Sequence, residues 1–179
     1  MIILIGESGS GKTTILNELE KRGFEKAINH TTRKPRDGEE TLKEYEFVTK
    51  EEFEEMWKKG KLVQRAEFNG EYYGISTESL KDNVACILIV DSIQDIKDRI
   101  LELGLNGINI QSFYIHVPVD ERTKRMLKRG DNIESIQRKI QIDKEKFKEA
   151  REVADFVIEN NEIEETVEKI ITLSNLVSA

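Results

Sequence analysis

The feature that most constrains this chain of 179 residues is a glycine-rich segment at residues 6–13, Gly-Glu-Ser-Gly-Ser-Gly-Lys-Thr. It follows the apolar run Ile2–Ile5 and precedes Ile15 and Leu19, which are spaced as on one face of a helix. Glycines between a strand and a helix let successive backbone N–H groups turn inward, where the positive end of the helix also attracts an anion. The sequence therefore predicts a strand, a phosphate-binding loop and a helix in that order.

The side chains of this segment fit a nucleoside triphosphate with Mg²⁺. Lys12 is placed to reach the β- and γ-phosphates and to act as a catalytic residue, and the Thr13 hydroxyl is the predicted metal ligand. The alternative is a glycine-rich surface turn without a ligand. The predicted contacts of the triphosphate are Gly6, Glu7, Ser8, Gly9, Ser10, Gly11, Lys12, Thr13 and Thr14.

Composition narrows the class of protein. With 28 basic and 35 acidic residues the net charge is -7, which disfavours nucleic acid as a partner. No apolar run approaches the length of a membrane span, and the N-terminal run is too short for a secretion signal. The single cysteine, Cys86, cannot form an internal disulfide, so we expect a cytoplasmic protein. No oligomeric state follows from the sequence.

Strand-like and helix-like segments alternate along most of the chain. Apolar runs at residues 85–90, 112–117 and 156–158 read as buried strands, each followed by a helical pattern, which predicts an α/β fold with a parallel sheet. Turn-forming and aromatic residues interrupt this alternation after the first helix, which indicates an inserted subdomain. Asp91 ends a buried strand, where it could contact substrate or water-bound Mg²⁺; the alternative is a helix N-cap.

A basic segment inside the insertion suits a second phosphate group. Arg33 and Arg36 are three residues apart and Pro35 stiffens the chain between them. Guanidinium groups make bidentate contacts with a phosphate monoester. A solvated basic turn is the alternative.

Four motifs together resemble the guanylate kinase family over nearly the whole chain. They are the glycine-rich loop, Thr-Thr-Arg-x-Pro-Arg-x-Gly-Glu at residues 31–39, Tyr45-x-Phe-Val, and Phe68-x-Gly-x-Tyr-Tyr-Gly ending at Gly74. The resemblance implies one domain over 1–179 with the P-loop nucleoside monophosphate kinase fold: a parallel sheet core, an inserted acceptor-binding subdomain at 29–79 and a helical lid at 120–141. It implies ATP and Mg²⁺ as cofactors and GMP or dGMP as the acceptor.

The resemblance also implies roles for individual residues. The acceptor phosphate is assigned to Arg33, Arg36, Tyr45 and Tyr73. The other substrate-binding positions that it implies are Asn29, Gln64 and Ser76, to which Asp91 is added from its place at the end of a strand. Arg122, Arg125 and Arg129 share one helix face, and the family's lid cations match Arg125 and Arg129 as catalytic residues, with a third at Arg138 or Lys139. Asn160 matches a position near the adenine of ATP. We expect structural roles for His30 and His116.

The positions that would read the base depart from the family. Gln64 replaces a glutamate, Ile75 replaces a serine or threonine, and Asn29 replaces a serine. A glutamine amide offers one acceptor and one donor where a carboxylate offers two acceptors. Guanine selectivity therefore stays open, as does whether Gln64 or Glu67 faces the base.

Two other functions stay open on the sequence. A kinase for a different phosphorylated acceptor, such as a ribose bisphosphate, would keep the phosphate contacts and change the base-reading positions. A non-catalytic guanylate-kinase-like module would bind a protein instead, although such modules tend to lose the loop that this chain keeps.

Overall fold

A computed structural model describes residues 1–35, 45–68, 70–88, 92–105 and 107–177. Arg36 and Asp91, two of the predicted substrate-binding residues, lie outside these ranges. The strands are β1 Ile2–Ile5, β2 Glu25–Lys26, β3 Asn29–Thr31, β4 Glu46–Phe47, β5 Ala66–Phe68, β6 Glu71–Ile75, β7 Val84–Ile87, β8 Gln111–His116 and β9 Phe156–Glu159. The helices are α1 Lys12–Lys21, α2 Lys50–Lys58, α3 Ser92–Glu102, α4 Val119–Arg129, α5 Ile133–Lys146, α6 Ala150–Val153 and α7 Ile163–Val177.

The core is a five-stranded parallel sheet in the order β2-β7-β1-β8-β9. The central strand β1 is fully buried because its apolar side chains point alternately to the two faces of the sheet and both faces are covered by helices. On one face Ile3 and Ile5 pack with α3, and on the other Leu4 packs with α1 and α7. Helices on both faces of a parallel sheet confirm the predicted α/β class.

A second, four-stranded sheet has the order β4-β3-β6-β5. Strand β6 pairs antiparallel with β3 on one side and with β5 on the other. Tyr73 of β6 therefore lies opposite Thr31 of β3 and opposite Ala66 of β5. Helix α2 packs here, with Phe53 fully buried against the ring of Tyr72 at 5.5 Å between centroids. A capping box between Thr49 and Glu52 begins this helix. All of these elements fall within the predicted insertion.

The boundaries of several strands differ from the predicted runs by one or two residues. The run predicted over 112–117 is β8, which begins one residue earlier and ends at His116. The described part of the run over 85–90 is β7, which begins at Val84 and ends at Ile87. The short edge strand β2 was not predicted, because Glu25 and Lys26 are exposed and polar.

Cys86 lies in β7 within the core beneath α3, with 2% of its surface exposed. Burial raises the pKa of its thiol to about 12. The thiol is therefore protonated at physiological pH and unreactive. Within the described ranges, no helix is both long and apolar enough to cross a lipid bilayer.

Asp155 fastens the beginning of β9 to the beginning of β8. Its Oδ2 accepts hydrogen bonds from the Ser112 backbone N–H at 2.8 Å and from the Ser112 hydroxyl at 2.6 Å. Lys97 donates to Oδ1 at 3.2 Å. Burial alone would raise the pKa of Asp155, but these bonds favour the carboxylate and the net shift is downward.

We expect Asp155→Asn to lower the free energy of unfolding by about 1 kcal/mol at neutral pH, since the lost bonds are charge-assisted but partly exposed. Because the folded pKa is depressed, this contribution is present above the carboxyl's unfolded pKa of about 3.9 and is lost as pH falls through the folded value. Urea unfolding of both proteins at neutral and at acid pH measures it. An equal difference at both pH values would contradict the argument.

Candidate active site

The loop at residues 6–13 wraps around the ammonium group of Lys12. The Lys12 Nζ donates to the carbonyl oxygens of Gly6 at 2.6 Å and Glu7 at 2.9 Å. Burial lowers the pKa of Lys12 to about 8, against the opposing effect of the Asp143 and Glu7 carboxylates. The amine therefore lies where an anion bound in the loop would gain a direct cationic contact.

Glycine is required at the end of the loop. Gly11 has φ of 96°, in the left-handed region, and a Cβ there would lie 2.6 Å from Nδ2 of Asn160. The Asn160 amide is buried, donates to the Ser10 carbonyl at 2.7 Å and accepts from the Thr166 hydroxyl at 3.0 Å. Asn160 thus supports the loop from beneath.

A pocket of about 460 Å³ opens over the loop, and we call it the loop pocket. Its floor includes Lys12, Thr13 and Thr14, and its opposite wall carries Arg125 and Arg129 of α4 and Lys139 of α5. Arg138 is not among its lining residues, so Lys139 is the third cation that the structure brings to it. Four cationic side chains facing one pocket suit a polyanionic ligand.

Asp131, in the turn between α4 and α5, holds two of these cations. Arg129 donates to it through Nε at 2.9 Å and Nη2 at 2.7 Å, and Lys139 donates at 2.7 Å. These bonds hold the pKa of Asp131 well below its usual range. The cations are thereby kept beside the pocket.

A second cavity, of about 730 Å³, lies between the two sheets, and we call it the sheet cavity. At one end it reaches Ser8 and Lys12, which also line the loop pocket. At the other end it is lined by predicted substrate-binding residues of the second sheet and the segments beside it: Asn29, Tyr45, Gln64 and Tyr73. The two spaces therefore meet at the loop.

Gln64 and Glu67 differ in how they approach this cavity. Gln64 is buried, and its Nε2 donates to the Ser92 hydroxyl at 3.1 Å. Glu67 is exposed and pairs with Tyr72, whereas its neighbour Ala66 pairs with Tyr73. Directly opposed residues share a face and neighbours along a strand do not, so the pairing sets Glu67 on the other face of its strand from Tyr73. Glu67 nevertheless also lines the sheet cavity.

The aromatic rings of Tyr45 and Tyr73 form the far wall of the sheet cavity, and Arg33 lies behind it. The rings of Tyr45 and Tyr73 pack edge to face, with 6.2 Å between their centroids. The Arg33 guanidinium carbon lies 5.3 Å from the Tyr45 ring centroid. Arg33 is thus placed behind Tyr45 rather than among the residues lining the sheet cavity.

Three other predicted contacts point elsewhere. The Ser76 hydroxyl accepts from the Glu78 backbone N–H at 3.1 Å and caps a short 3-10 turn. The Glu7 carboxylate turns inward and accepts from the Tyr114 hydroxyl at 2.8 Å. Asn160, as described, is engaged beneath the loop. The structure places none of these side chains in the lining of either space.

Two buried charges lie beside the loop, and the sequence predicted the burial of neither, although its spacing placed Arg122 on the same helix face as the two arginines that line the loop pocket. Asp143 of α5 accepts from the Ser8 backbone N–H at 2.8 Å, and Arg122 of α4 donates to the Ser8 carbonyl at 3.3 Å. Both residues lie in charge-rich segments, where a solvated side chain is the ordinary expectation. For Asp143 the available signal is that it follows Lys139 by four residues and so shares its helix face.

The residues present suit Mg²⁺ held mainly by a bound ligand. Among the described residues no group of three or more His, Cys, Asp or Glu side chains could hold a metal ion. Mg²⁺ commonly keeps waters and binds substrate phosphates with few protein ligands. The Thr13 hydroxyl at the loop pocket is the protein ligand that fits this pattern.

Comparison with known proteins identifies the family directly. The family model described as guanylate kinase matches residues 1–175. The guanylate kinase of Anaplasma phagocytophilum strain HZ is 32% identical over 184 residues, covering 100% of this chain and 86% of that protein. The guanylate kinase of Bacillus subtilis strain 168 is 31% identical, covering 95% of this chain and 85% of that protein.

Solved structures agree with the sequence matches. The crystal structure of the Anaplasma phagocytophilum guanylate kinase superposes with a TM-score of 0.60 at 27% identity, covering 98% of this chain and 85% of that one. A gluconokinase from Sinorhizobium meliloti 1021 has a TM-score of 0.55 at 13% identity, covering 98% and 91% of the two chains, and shares the fold alone. These matches confirm the predicted fold class.

Proposed function

The chain belongs to the guanylate kinase family, and we propose that it transfers the γ-phosphoryl group of ATP to GMP or dGMP, giving GDP or dGDP. The observation that carries this proposal is that Ser8 and Lys12 line both the loop pocket and the sheet cavity. A donor in the first space and an acceptor in the second would meet beside Lys12. Phosphoryl transfer needs positioning and charge more than a dedicated base, and this arrangement supplies both.

The loop and the helices opposite it form the proposed donor site. Loop N–H groups and Lys12 bind the ATP phosphates, while Arg125 and Arg129 stabilise charge on the transferred group. We assign residues 120–141 to a lid that carries these arginines within a single domain of 179 residues. The Thr13 hydroxyl would hold Mg²⁺, which when bound neutralises phosphate charge.

The second sheet forms the proposed acceptor site within residues 29–79. The hydroxyls of Tyr45 and Tyr73 can donate to the acceptor phosphate, with Arg33 and Arg36 supplying positive charge. Gln64, buried at the wall of the cavity, is the group proposed to meet the base. Net negative charge and the buried thiol of Cys86 support a cytoplasmic enzyme of small substrates, without nucleic acid or membrane as a partner.

A coupled assay that follows ADP formation with ATP and a panel of acceptors tests the proposal. The panel comprises GMP, dGMP, IMP, AMP and a ribose bisphosphate. We expect GMP or dGMP to give the highest kcat/KM. Turnover of the sugar phosphate with none of the nucleotides would instead establish the other kinase function.

Gln64→Glu is expected to raise the preference for GMP over IMP by about tenfold or more. Guanine presents two adjacent donors, its N1–H and its 2-amino group, whereas hypoxanthine lacks the amino group. A carboxylate accepts from both donors, while a carboxamide that donates to Ser92 offers one acceptor oxygen.

The kcat/KM ratio for the two nucleotides, measured for wild type and variant, checks this. Glu67→Gln is the competing variant, because Glu67 also lines the sheet cavity but is exposed and pairs with Tyr72 rather than Tyr73. It should leave the ratio unchanged if Gln64 is the side chain that meets the base. A shift in the Glu67 variant and none in the Gln64 variant would show that the base meets the other side chain.

A further inference from the structure

Three groups close a hydrogen-bonded ring beside the loop, and we call this ring the Ser8 clamp: the Ser8 backbone, the Arg122 guanidinium and the Asp143 carboxylate. Asp143 Oδ2 accepts from the Ser8 N–H at 2.8 Å. Arg122 Nη1 donates to the Ser8 carbonyl at 3.3 Å and lies 3.5 Å from Asp143 Oδ2. Both backbone groups of one loop residue are thus held by side chains distant in sequence.

Stability alone is a poor explanation of the clamp. Arg122 is 6% exposed and Asp143 is 7% exposed. Burying two charges carries a desolvation penalty, and apolar replacements of buried ion pairs are often neutral or stabilising. The charged hydrogen bonds instead fix the orientation of the groups they join, here the Ser8 backbone N–H and carbonyl.

Arg122 also connects the clamp to the central sheet. Its Nε donates to the Val117 carbonyl at 3.1 Å, just beyond the end of β8. Its Nη2 lies 3.9 Å from Oε1 of Glu7, which in turn accepts from Tyr114 of β8. The clamp is therefore anchored to a rigid strand on one side and to the loop on the other.

The two charged residues lie at the two ends of the helical hairpin formed by α4 and α5. Arg122 is in the first half of α4 and Asp143 is in the last turn of α5. Between them in sequence are the cations that face the loop pocket, Arg125, Arg129 and Lys139. The hairpin that carries the cations is thus attached to the loop at both of its ends.

We propose that Arg122 and Asp143 are positioning residues that hold the loop and the cation-bearing hairpin in one fixed relation during phosphoryl transfer. This inference rests on the proposed kinase activity. Neither residue needs to touch the transferred group. The clamp sets the distance between the phosphates in the loop and the guanidinium groups above them, on which stabilisation of the transition state depends.

Asp143→Asn is the principal test, since the amide keeps the size of the side chain and can still accept from Ser8 but loses the charge that holds Arg122. We expect kcat to fall about 10- to 100-fold, the range that small misplacements of reacting groups produce. KM for ATP should change less than threefold, because the loop N–H groups and Lys12 remain. Arg122→Lys, which keeps the charge and loses the planar fork, should lower kcat in the same direction.

Asp155→Asn is a matched control. Asp155 also accepts a backbone N–H at 2.8 Å and pairs with a cation, but it lies at the opposite end of β8 from the loop. This variant should keep wild-type kcat. A similar loss of kcat in both aspartate variants would assign the effect to general destabilisation and overturn the proposal.

A double-mutant cycle with Arg129→Ala separates positioning from a local effect. If Asp143 acts through the hairpin cations, Asp143→Asn should lower kcat much less in the Arg129→Ala background than in wild type. Full additivity would overturn the proposal. A rise in kcat on Asp143→Asn would also overturn it, by showing that the carboxylate competes with phosphate for the Ser8 N–H.

Amide hydrogen exchange gives a readout that does not depend on the acceptor. Asp143→Asn should increase exchange of the loop at residues 6–13 and of α4 and α5 together, and Asp155→Asn should not. Unchanged exchange of the hairpin would contradict the clamp. Failure of the wild-type protein to phosphorylate GMP would contradict the proposed function instead and would leave this structural result standing.

Discussion

Lys12→Ala is expected to lower kcat by about 10³-fold, since it removes the cation at the junction of the two spaces where charge on the transferred phosphoryl group is greatest. The folded protein should tolerate the change. Burial lowers the pKa of Lys12, which means that the fold disfavours its charge, and its hydrogen bonds go to carbonyl oxygens of the loop rather than to a buried carboxylate. Steady-state kinetics with GMP measure kcat, and thermal unfolding checks the fold.

Lys21→Ala is the control for this experiment. Lys21 lies at the end of the same helix, is exposed and pairs with Glu18, so its loss should leave kcat unchanged. The pair of variants also separates an enzyme from a protein-binding module. If Lys12→Ala left the growth of cells that depend on this protein unchanged, the non-catalytic, protein-binding alternative would be favoured.

Arg129→Ala should lower kcat by about 10²- to 10³-fold with a smaller effect on the affinity for ATP. Its guanidinium lines the loop pocket and is held in place by both oxygens of Asp131. A group so oriented acts most strongly where charge spreads over the transferred phosphoryl oxygens, which is in the transition state. The loss should therefore appear in kcat, and KM for ATP should rise less.

Lys124→Ala is the matched variant on the same helix. Lys124 is strongly exposed, pairs with Glu121 and is absent from the lining of the loop pocket. Its removal takes one positive charge from α4 without changing the site. Equal kinetic losses in the two variants would indicate a long-range charge effect and contradict the specific role of Arg129.

Sequence alone predicted the central part of the fold because its signals are local. Ile2–Ile5 is uniformly apolar, the loop glycines mark the turn, and Ile15 and Leu19 recur at helical spacing. Each of these patterns needs only neighbouring residues to be interpreted. The parallel sheet with helices on both faces followed from their repetition, and the structure and its matches confirm it.

The remainder of the site depends on contacts between distant segments. Arg122 and Asp143 look like members of solvated charged helices, and only the docking of α4 and α5 against the loop buries them. Gln64 and Glu67 are three residues apart, and the register of β5 with β6 decides which face Glu67 takes. Asn160 sits at the end of a strand, where sequence does not reveal that its amide supports the Ser10 carbonyl.

The burial of Cys86 makes the protein convenient for spectroscopy. Cys86 is the one cysteine of the chain, and its thiol is enclosed in the core with a raised pKa, so it should not react with maleimide dyes while the protein is folded. A cysteine introduced at Lys124 on α4 and another at Lys50 on α2 would then carry donor and acceptor fluorophores without removal of the native thiol. Energy transfer between them would report the distance between the two halves of the molecule as nucleotides bind.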